Sequence, residues 1–444
     1  MRSFRSIAVL GVLLIGLVAY LYFVDSKKPV DQTEEKAKVF AGLDADKIDE
    51  IKIDTVAGDA TVAQKASDGW KLVTPTPARA DDSELSSITS NLASVTIERV
   101  VDEAPKNLGD YGLKEPVVQV SFKTKGAKNY RTLDLGTKTP TGSDLYARVG
   151  GDKKVFLVQS YLDSTFNRKP FDLRDKKILN VDRDKVDRIE VADADKRLTL
   201  VKSGSDWRVA SPVDARGDFG AIEQLISRVQ SAQMKSVASE AATDLKEYGL
   251  DKAATTVTLG MGSARAALAI GKKAEGGDLY ARDVSKNQVV TVGADLQTDL
   301  QKGVTEYRRK DVFEFRAYNL TRLEITRGKD ATTFERLKGK GKDGADVWQN
   351  AATKKAVDRA KFEAFLAKLS GLRAQSFADA SAKTGLDVPV LVTNATFDDG
   401  KKSESVRFGR EGTAAYAGRA DEPGALTLDT SEFEDLIKSL DGLK

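Results

Sequence analysis

Neither cysteine nor histidine occurs anywhere in the 444 residues. Without thiols the chain has no disulfide, no thiolate nucleophile, no cysteine-ligated metal and no lipid-modified cysteine. Without imidazole it lacks the usual general base, the commonest zinc ligand and the side chain that changes charge near neutrality. Carboxylates, Ser/Lys pairs and tyrosine remain available for catalysis, but the composition points away from an enzyme, and no cofactor is expected. Charge of one sign is also missing, since 70 Lys and Arg face 67 Asp and Glu. Nucleic-acid binders concentrate positive charge, so no nucleic acid is expected as a partner. Tryptophan is scarce, with three residues, which makes each one a landmark. The length exceeds one ordinary domain of about 100–150 residues and predicts two to four.

What is present begins with an uncharged run, "IAVLGVLLIGLVAYLYFV", at residues 7–24. As a helix it would extend about 27 Å, close to the ~30 Å of a bilayer core. Tyr20, Tyr22 and Phe23 lie near one end, where aromatic rings favour the membrane interface. Its end, "AYLYFVDSKK" at 19–28, has no small-residue cleavage site, so an uncleaved anchor is expected rather than a signal peptide. Arg2 and Arg5 favour a cytoplasmic N-terminus, against a dilution by Lys27 and Lys28. The expected location is therefore the inner membrane, single-pass, with the bulk of the chain periplasmic. Residues 25–45 are polar and read as a tether.

The remainder repeats itself. "LGDYGLKEP" at 108–116 returns as "LKEYGLDKA" at 245–253. "DGWKLVTP" around Trp70 returns as "SDWRVASP" around Trp207, 137 residues on. "DLYARVGGDKKVFLV" at 144–158 returns as "DLYARDVSKNQVVTV" at 278–292, and "LRDKK" around Arg174 as "YRRKD" around Arg309. A more divergent third copy has Trp348, "KTGLDVP" at 383–389 and "AAYAGRADEPGALTL" at 414–428, in the same order. Thr384 stands there in place of the tyrosine. The expected organisation is an anchor at 1–24, a tether at 25–45 and repeat domains at 46–182, 183–316 and 317–444.

Each repeat opens with period-two alternation ("IDEIKID", "VDRIEVA", "LTRLEIT") and continues through a hairpin carrying the tryptophan. An amphipathic helix follows, with stripes at Leu85, Ile88, Leu92 and Val95, at Ile222, Leu225, Ile226 and Val229, and at Phe362, Phe365, Leu366 and Leu369. Asp81 or Asp82, Asp218 and Asp358 are placed to cap these helices. Further strands and a short helix close the unit. The expected fold is α+β, an N-terminal transmembrane helix followed by three tandem antiparallel-sheet-plus-helix domains. Gly112, Gly249 and Gly385 are expected at left-handed turns, with Leu113, Leu250 and Leu386 entering the core.

The tryptophan hairpin, the Tyr-Gly-Leu phrase, the Leu-Tyr-Ala-Arg hairpin and the Leu-Arg-Asp-Lys joint, in that order, resemble the bacterial domain-of-unknown-function family 4340. The resemblance covers nearly everything after the tether. It implies a membrane-anchored protein with a repeated domain, and some members are encoded beside ABC-type transport systems of the gliding-motility-associated kind. The family has no established reaction, so no catalytic residue carries over.

Several features could carry chemistry. "GKGKDG" at 339–344 fits G-x-G-x-x-G, but it lies between strands and reads as a basic hairpin loop. Trp70, Trp207 and Trp348 could stack on a sugar or a partner, although strand aromatics more often fill cores. Tyr146 with Arg148 and Tyr280 with Arg282 form a candidate anion-binding face, since a guanidinium matches carboxylate or phosphate. The alternative is a cross-strand pair with Asp. Arg419 follows Tyr416 by three residues, so the third copy is out of phase. Asp81–Asp82 and Asp398–Asp399 are adjacent acids, and "DADK" at 44–47 and 193–196 lacks the glycine and distal Glu of a calcium loop. Arg174, Asp175, Lys176, Arg309 and Lys310 fall where repeats join and are expected to fix one repeat against the next by ion pairs. The function expected is a membrane-tethered extracytoplasmic scaffold with a protein partner in the envelope, accessory to an ABC-type transporter. A cell-wall polymer-binding module is the alternative, and a carboxylate-dependent hydrolase a further one.

Overall fold

The computed structural model describes residues 36–443 apart from 57, 59, 195, 341–345 and 380. Three antiparallel sheets succeed one another along the chain. The first contains β1 (Ile48–Thr55), β2 (Thr61–Ala66), β3 (Gly69–Thr74), β4 (Ala78–Arg79) and β5 (Arg99–Asp102). It continues with β6 (Val118–Thr124), β7 (Arg131–Lys138), β8 (Asp144–Val149) and β9 (Val155–Gln159). Its spatial order is β4-β3-β2-β1-β6-β7-β8-β9-β5.

The second sheet contains β10 (Arg188–Asp193), β11 (Arg197–Ser203), β12 (Asp206–Ser211), β13 (Ala215–Arg216) and β14 (Ser236–Ser239). It also has β15 (Thr255–Met261), β16 (Ala264–Lys273), β17 (Leu279–Asp283) and β18 (Val289–Val292). Its order, β13-β12-β11-β10-β15-β16-β17-β18-β14, is the first sheet's order repeated. The third has β19 (Leu320–Arg327), β20 (Asp330–Leu337), β21 (Val347–Asn350) and β22 (Ala374–Phe377), then β23 (Leu391–Phe397), β24 (Lys402–Glu411), β25 (Ala414–Arg419) and β26 (Leu426–Leu428). Its order, β21-β20-β19-β23-β24-β25-β26-β22, lacks only a counterpart of β4 and β13. At that place the chain makes a single bridge, Gln349 to Ala356.

One helix per repeat covers a sheet face: α1 (Asp82–Ser94), α3 (Phe219–Gln230) and α6 (Arg359–Gly371). Shorter α2 (Tyr161–Phe166), α4 (Ala294–Leu300) and α5 (Val304–Tyr307) follow the last hairpins of the first two repeats, and α7 (Thr430–Asp441) follows that of the third. The Asp81 side chain accepts from the Ser83 and Glu84 amides, Asp218 from Ala221 and Asp358 from Lys361. Each thereby satisfies N–H groups that a helix start leaves open, worth about 0.5–2 kcal/mol per cap. Leu85, Ile88 and Leu92 of α1 are fully buried against Ile51, Trp70 and Phe122 in one core, and Phe362, Phe365 and Leu369 of α6 in another. Such side chains contribute roughly 1.5–3 kcal/mol each.

One expectation needs correction, and another falls outside the described residues. Strand accounts for 41% and helix for 21%, so the fold is mostly β rather than α+β. The helical stripes are conspicuous in sequence, whereas short edge strands such as Arg99–Asp102 and Ser236–Ser239 are only four residues long and leave little periodicity to weigh. Among the described residues no helix is long and apolar enough to cross a membrane. Residues 7–24, where the transmembrane helix was expected, lie outside the described residues.

The chain forms two compact units, one ending at Lys176 and the other beginning at Lys177. The first sheet belongs to the former, the second and third sheets to the latter.

Candidate functional site

The tryptophans occupy matched positions, Trp70 in β3, Trp207 in β12 and Trp348 in β21, and are 4%, 2% and 8% exposed. They are core residues and offer no platform for a ligand. The Tyr-Gly-Leu glycines all lie in the left-handed region, Gly112 and Gly249 at φ 66° and Gly385 at φ 65°. A Cβ on Gly112 would sit 2.6 Å from Thr137 Cγ2, and one on Gly385 would sit 2.3 Å from the Arg410 carbonyl oxygen. Leu113 and Leu250 are buried, while Leu386 is half-buried.

The phrases that recur separately in sequence meet in space. Tyr111 of the Tyr-Gly-Leu turn packs edge-on against Tyr146 of the next hairpin, with centroids 5.1 Å apart. Tyr248 and Tyr280 repeat the arrangement at 5.0 Å. A second glycine per repeat, Gly136, Gly271 or Gly409, lies beneath the turn. Any Cβ there would be 2.1–2.2 Å from the Tyr111, Tyr248 or Thr384 carbonyl oxygen. Sequence reasoning missed these three glycines. Their similar distance from the phrase glycine in each copy was the available signal.

The candidate Tyr–Arg face resolves differently in each repeat. Arg148 on β8 donates from Nε to Asp134 Oδ2 at 2.8 Å, directly across the strand pair. Asp134 also accepts from Gln119 and is almost fully buried. In the second sheet Ala269 stands opposite Arg282. Arg282 turns instead to the Lys286 carbonyl, 3.0 Å from Nη1. In the third sheet Gly418 occupies the equivalent place, opposite Arg407, and the arginine comes one residue later. Successive strand residues point to opposite faces, so Arg419 leaves that face and is buried.

Arg419 belongs to an ionic seam within the second unit, where the edge of the second sheet meets the third. Its Nη1 donates to Glu404 Oε2 at 2.5 Å and to the Val312 carbonyl at 2.8 Å. Its Nε and Nη2 grip the two Asp421 oxygens, each at 2.9 Å. Glu404 also accepts from the Glu314 amide at 3.0 Å and the Phe315 amide at 2.9 Å. The connector between the sheets is thus pinned by a buried carboxylate. Arg216, from edge strand β13, pairs with Glu422 and donates to the Asp311 carbonyl at 2.7 Å. Arg308 lies with its guanidinium 3.8 Å from the Phe377 ring centroid and 3.9 Å from Glu422.

Burial lowers the affinity of Arg308 for its proton, partly offset by Glu422, with Arg216 adding to the lowering. For Arg419 burial acts in the same direction, but hydrogen bonds to Asp421 and Glu404 outweigh it and raise the pKa. Asp421 is held below the usual carboxylate range, burial being outweighed by Arg419. Tyr307, beside this connector, is pushed up to about 12 by burial and by Asp299 and Glu306. Arg419 is fully engaged, whereas Arg216 Nη1, Arg308 Nε and Glu422 Oε2 are buried without a hydrogen-bond partner among the described residues and meet opposite charge only at longer range, Arg216 Nη1 lying 3.7 Å from Glu314. Arg309 pairs with Asp311 at 3.1 Å within the connector itself.

The remaining sequence features take ordinary places. Asp81 caps α1, while Asp82 accepts from the Trp70 amide at 2.7 Å. Asp398 accepts from Asn319 at 2.9 Å, and Asp399 pairs with Lys338. Asp44 caps a single helical turn. "GKGKDG" follows β20, with residues 341–344 outside the described residues. Among the described residues no group of three acids is placed to hold a metal ion. A cavity of about 510 Å³ opens in the third repeat between β19, β20, the start of α6 and the end of α7.

A family model described as domain of unknown function (DUF4340) matches residues 70–206 and 207–389, successive segments that open on Trp70 and Trp207. The matches cover most of the chain, and the chain belongs to this family. Neither a curated protein nor a solved structure matches it.

Proposed function

We propose that this member of the DUF4340 family is a non-enzymatic scaffold, tethered to the inner membrane by residues 7–24 and working through its extracytoplasmic repeats. The carrying observation is the ionic seam. Charges that could serve a ligand are used inside one unit, Arg216 tying the edge of the second sheet to Glu422 of the third repeat and Arg419 holding the connector at Val312. A stiff body built this way suits presentation of surfaces to a protein partner, and the uncharged run at residues 7–24 suits attachment. An envelope ABC-type transporter fits as that partner. The buried tryptophans withdraw the stacking surface on which polymer binding rested.

The test is fractionation of cells producing the full chain or a chain lacking residues 1–24, with protease added outside the inner membrane. The reading expects the full chain in the membrane, digestible from outside, with a transporter component recovered by crosslinking. Recovery of the full chain in the cytosol would overturn it.

A further inference from the structure

In the first two repeats the chain returns after its last hairpin and adds a short extended segment to the outer edge of the sheet. In the first unit the Asp81 amide donates to the Leu173 carbonyl at 2.9 Å, and the Asp175 amide to the Arg79 carbonyl at 3.0 Å. In the second unit the Asp218 amide donates to Tyr307 at 2.8 Å, and the Arg309 amide to Arg216 at 2.9 Å. The segment's large apolar residue, Leu173 or Tyr307, is driven inward to 1% or 2% exposure.

The third repeat has the same edge at Ala356–Asp358. The Val357 amide bonds the Trp348 carbonyl at 3.0 Å, just as Ala80 bonds Trp70 and Gly217 bonds Trp207. Asp358 caps α6 as Asp81 and Asp218 cap α1 and α3. Around the Gln349–Ala356 bridge the inward bonds run from Asn350 to Lys355 and from Val357 to Trp348. The Ala356 carbonyl and the Asp358 amide therefore point outward, as the Arg79 carbonyl and Asp81 amide do. Among the described residues no backbone group meets them. Ala80 and Gly217 are buried, whereas their counterpart Val357 is only half-buried. Beside this edge lies the 510 Å³ cavity, floored by Ile325, Phe334, Val357, Leu440 and Leu443. That volume falls in the ~300–1,000 Å³ range of ligand sites.

We infer that this edge and cavity form a docking slot for an extended segment of a partner protein, carrying a large apolar residue followed by a basic one. The segment adds a strand to the sheet and inserts the apolar side chain into the cavity, the mode in which backbone bonds supply affinity and a side-chain pocket supplies choice. The occupant's chemistry is written twice in the chain, as Leu173-Arg174 and Tyr307-Arg308. The slot continues a type of interface that the chain itself establishes in both units. The inference does not depend on where the protein resides, so it can fail or stand apart from the scaffold proposal.

The probe is a fluorescent peptide copying residues 303–311, titrated into the full chain. Saturable one-to-one binding is expected. Methylation of the peptide nitrogen equivalent to Arg309, which bonds the edge, should weaken binding at least tenfold. Methylation at the Arg308 equivalent, which faces away, should change it less than twofold. Serine in place of Tyr307 in the peptide, or Val357→Glu in a protein whose melting is unchanged, should each weaken binding at least tenfold. Absence of binding at millimolar peptide, equal effects of the two methylations, or indifference to both cavity changes would overturn the inference. Self-association of the chain abolished by Val357→Glu would also overturn it, since the occupant would then be a second copy.

Discussion

The hairpin arginines of the first two sheets and that of the third start from the same phrase and end in opposite environments. Arg148 stays on the hairpin face, where Asp134 meets it, and Arg282 bends to a carbonyl of its own hairpin. Arg419, shifted by one residue, points through the sheet and becomes 1% exposed. The strand's period of two makes this an all-or-none choice. One step in register converts a partly buried guanidinium into the hub of a fully buried network. It also recruits Glu404, Asp421 and Glu422, three acids that no pattern in the sequence marks as a group.

The largest effect should come from removing the hub. Arg419→Ala leaves Glu404 and Glu422 buried beside an incomplete set of partners and should cost about 3–5 kcal/mol, read by urea unfolding of the second unit. If the loss matches that of Arg282→Ala, the contrast between the fully buried and the partly buried arginine fails. Next, Gly136→Ala drives a methyl into the Tyr111 carbonyl at 2.1 Å and should cost about 1–3 kcal/mol by overpacking. Gly409→Ala should do the same in the third sheet, since the turn there survives the loss of its tyrosine. Arg148→Ala should cost about 1 kcal/mol or somewhat more, because it leaves Asp134 buried with Gln119 as its remaining side-chain partner. Arg282→Ala should stay within about 0.5 kcal/mol.

Two pH dependences sharpen the same contrast. Tyr307 is raised from 10 to about 12. Its contribution is complete below the unfolded value and is lost as pH rises toward the folded one. The second unit should therefore weaken across roughly pH 10 to 12, a loss that Tyr307→Phe abolishes and that Leu173 at the matched place in the first unit cannot show. Asp421 is lowered from 3.8. Its contribution is present above the unfolded value and lost as pH falls through the folded one, so Asp421→Asn should flatten the acid limb. Thermal melts against pH read both.

Much of the fold was legible because repetition amplifies weak signals. Trp70, Trp207 and Trp348, the Tyr-Gly-Leu turns and the helix stripes each recur in order. The mostly-β character was harder to see, since edge strands of two to four residues leave little periodicity. The seam was least legible. Arg419 was visible as a residue out of phase, but burial of Arg216, Arg308 and Glu422 arises from the meeting of two sheets, and composition carries no trace of it. The tyrosine pairs fall between these cases, because both partners lay in quoted phrases and only the third dimension joins them.

The central claim is that the second and third sheets are welded by the Arg419 network while the first sheet is a separate unit. Amide hydrogen exchange on the full chain, compared with Arg419→Ala, tests it directly. The account predicts lost protection on both sides of the seam, at residues 215–217 and at 312–315, with Ile48–Thr55 unchanged. Deprotection confined to the third sheet, or spread equally to the first, would contradict it.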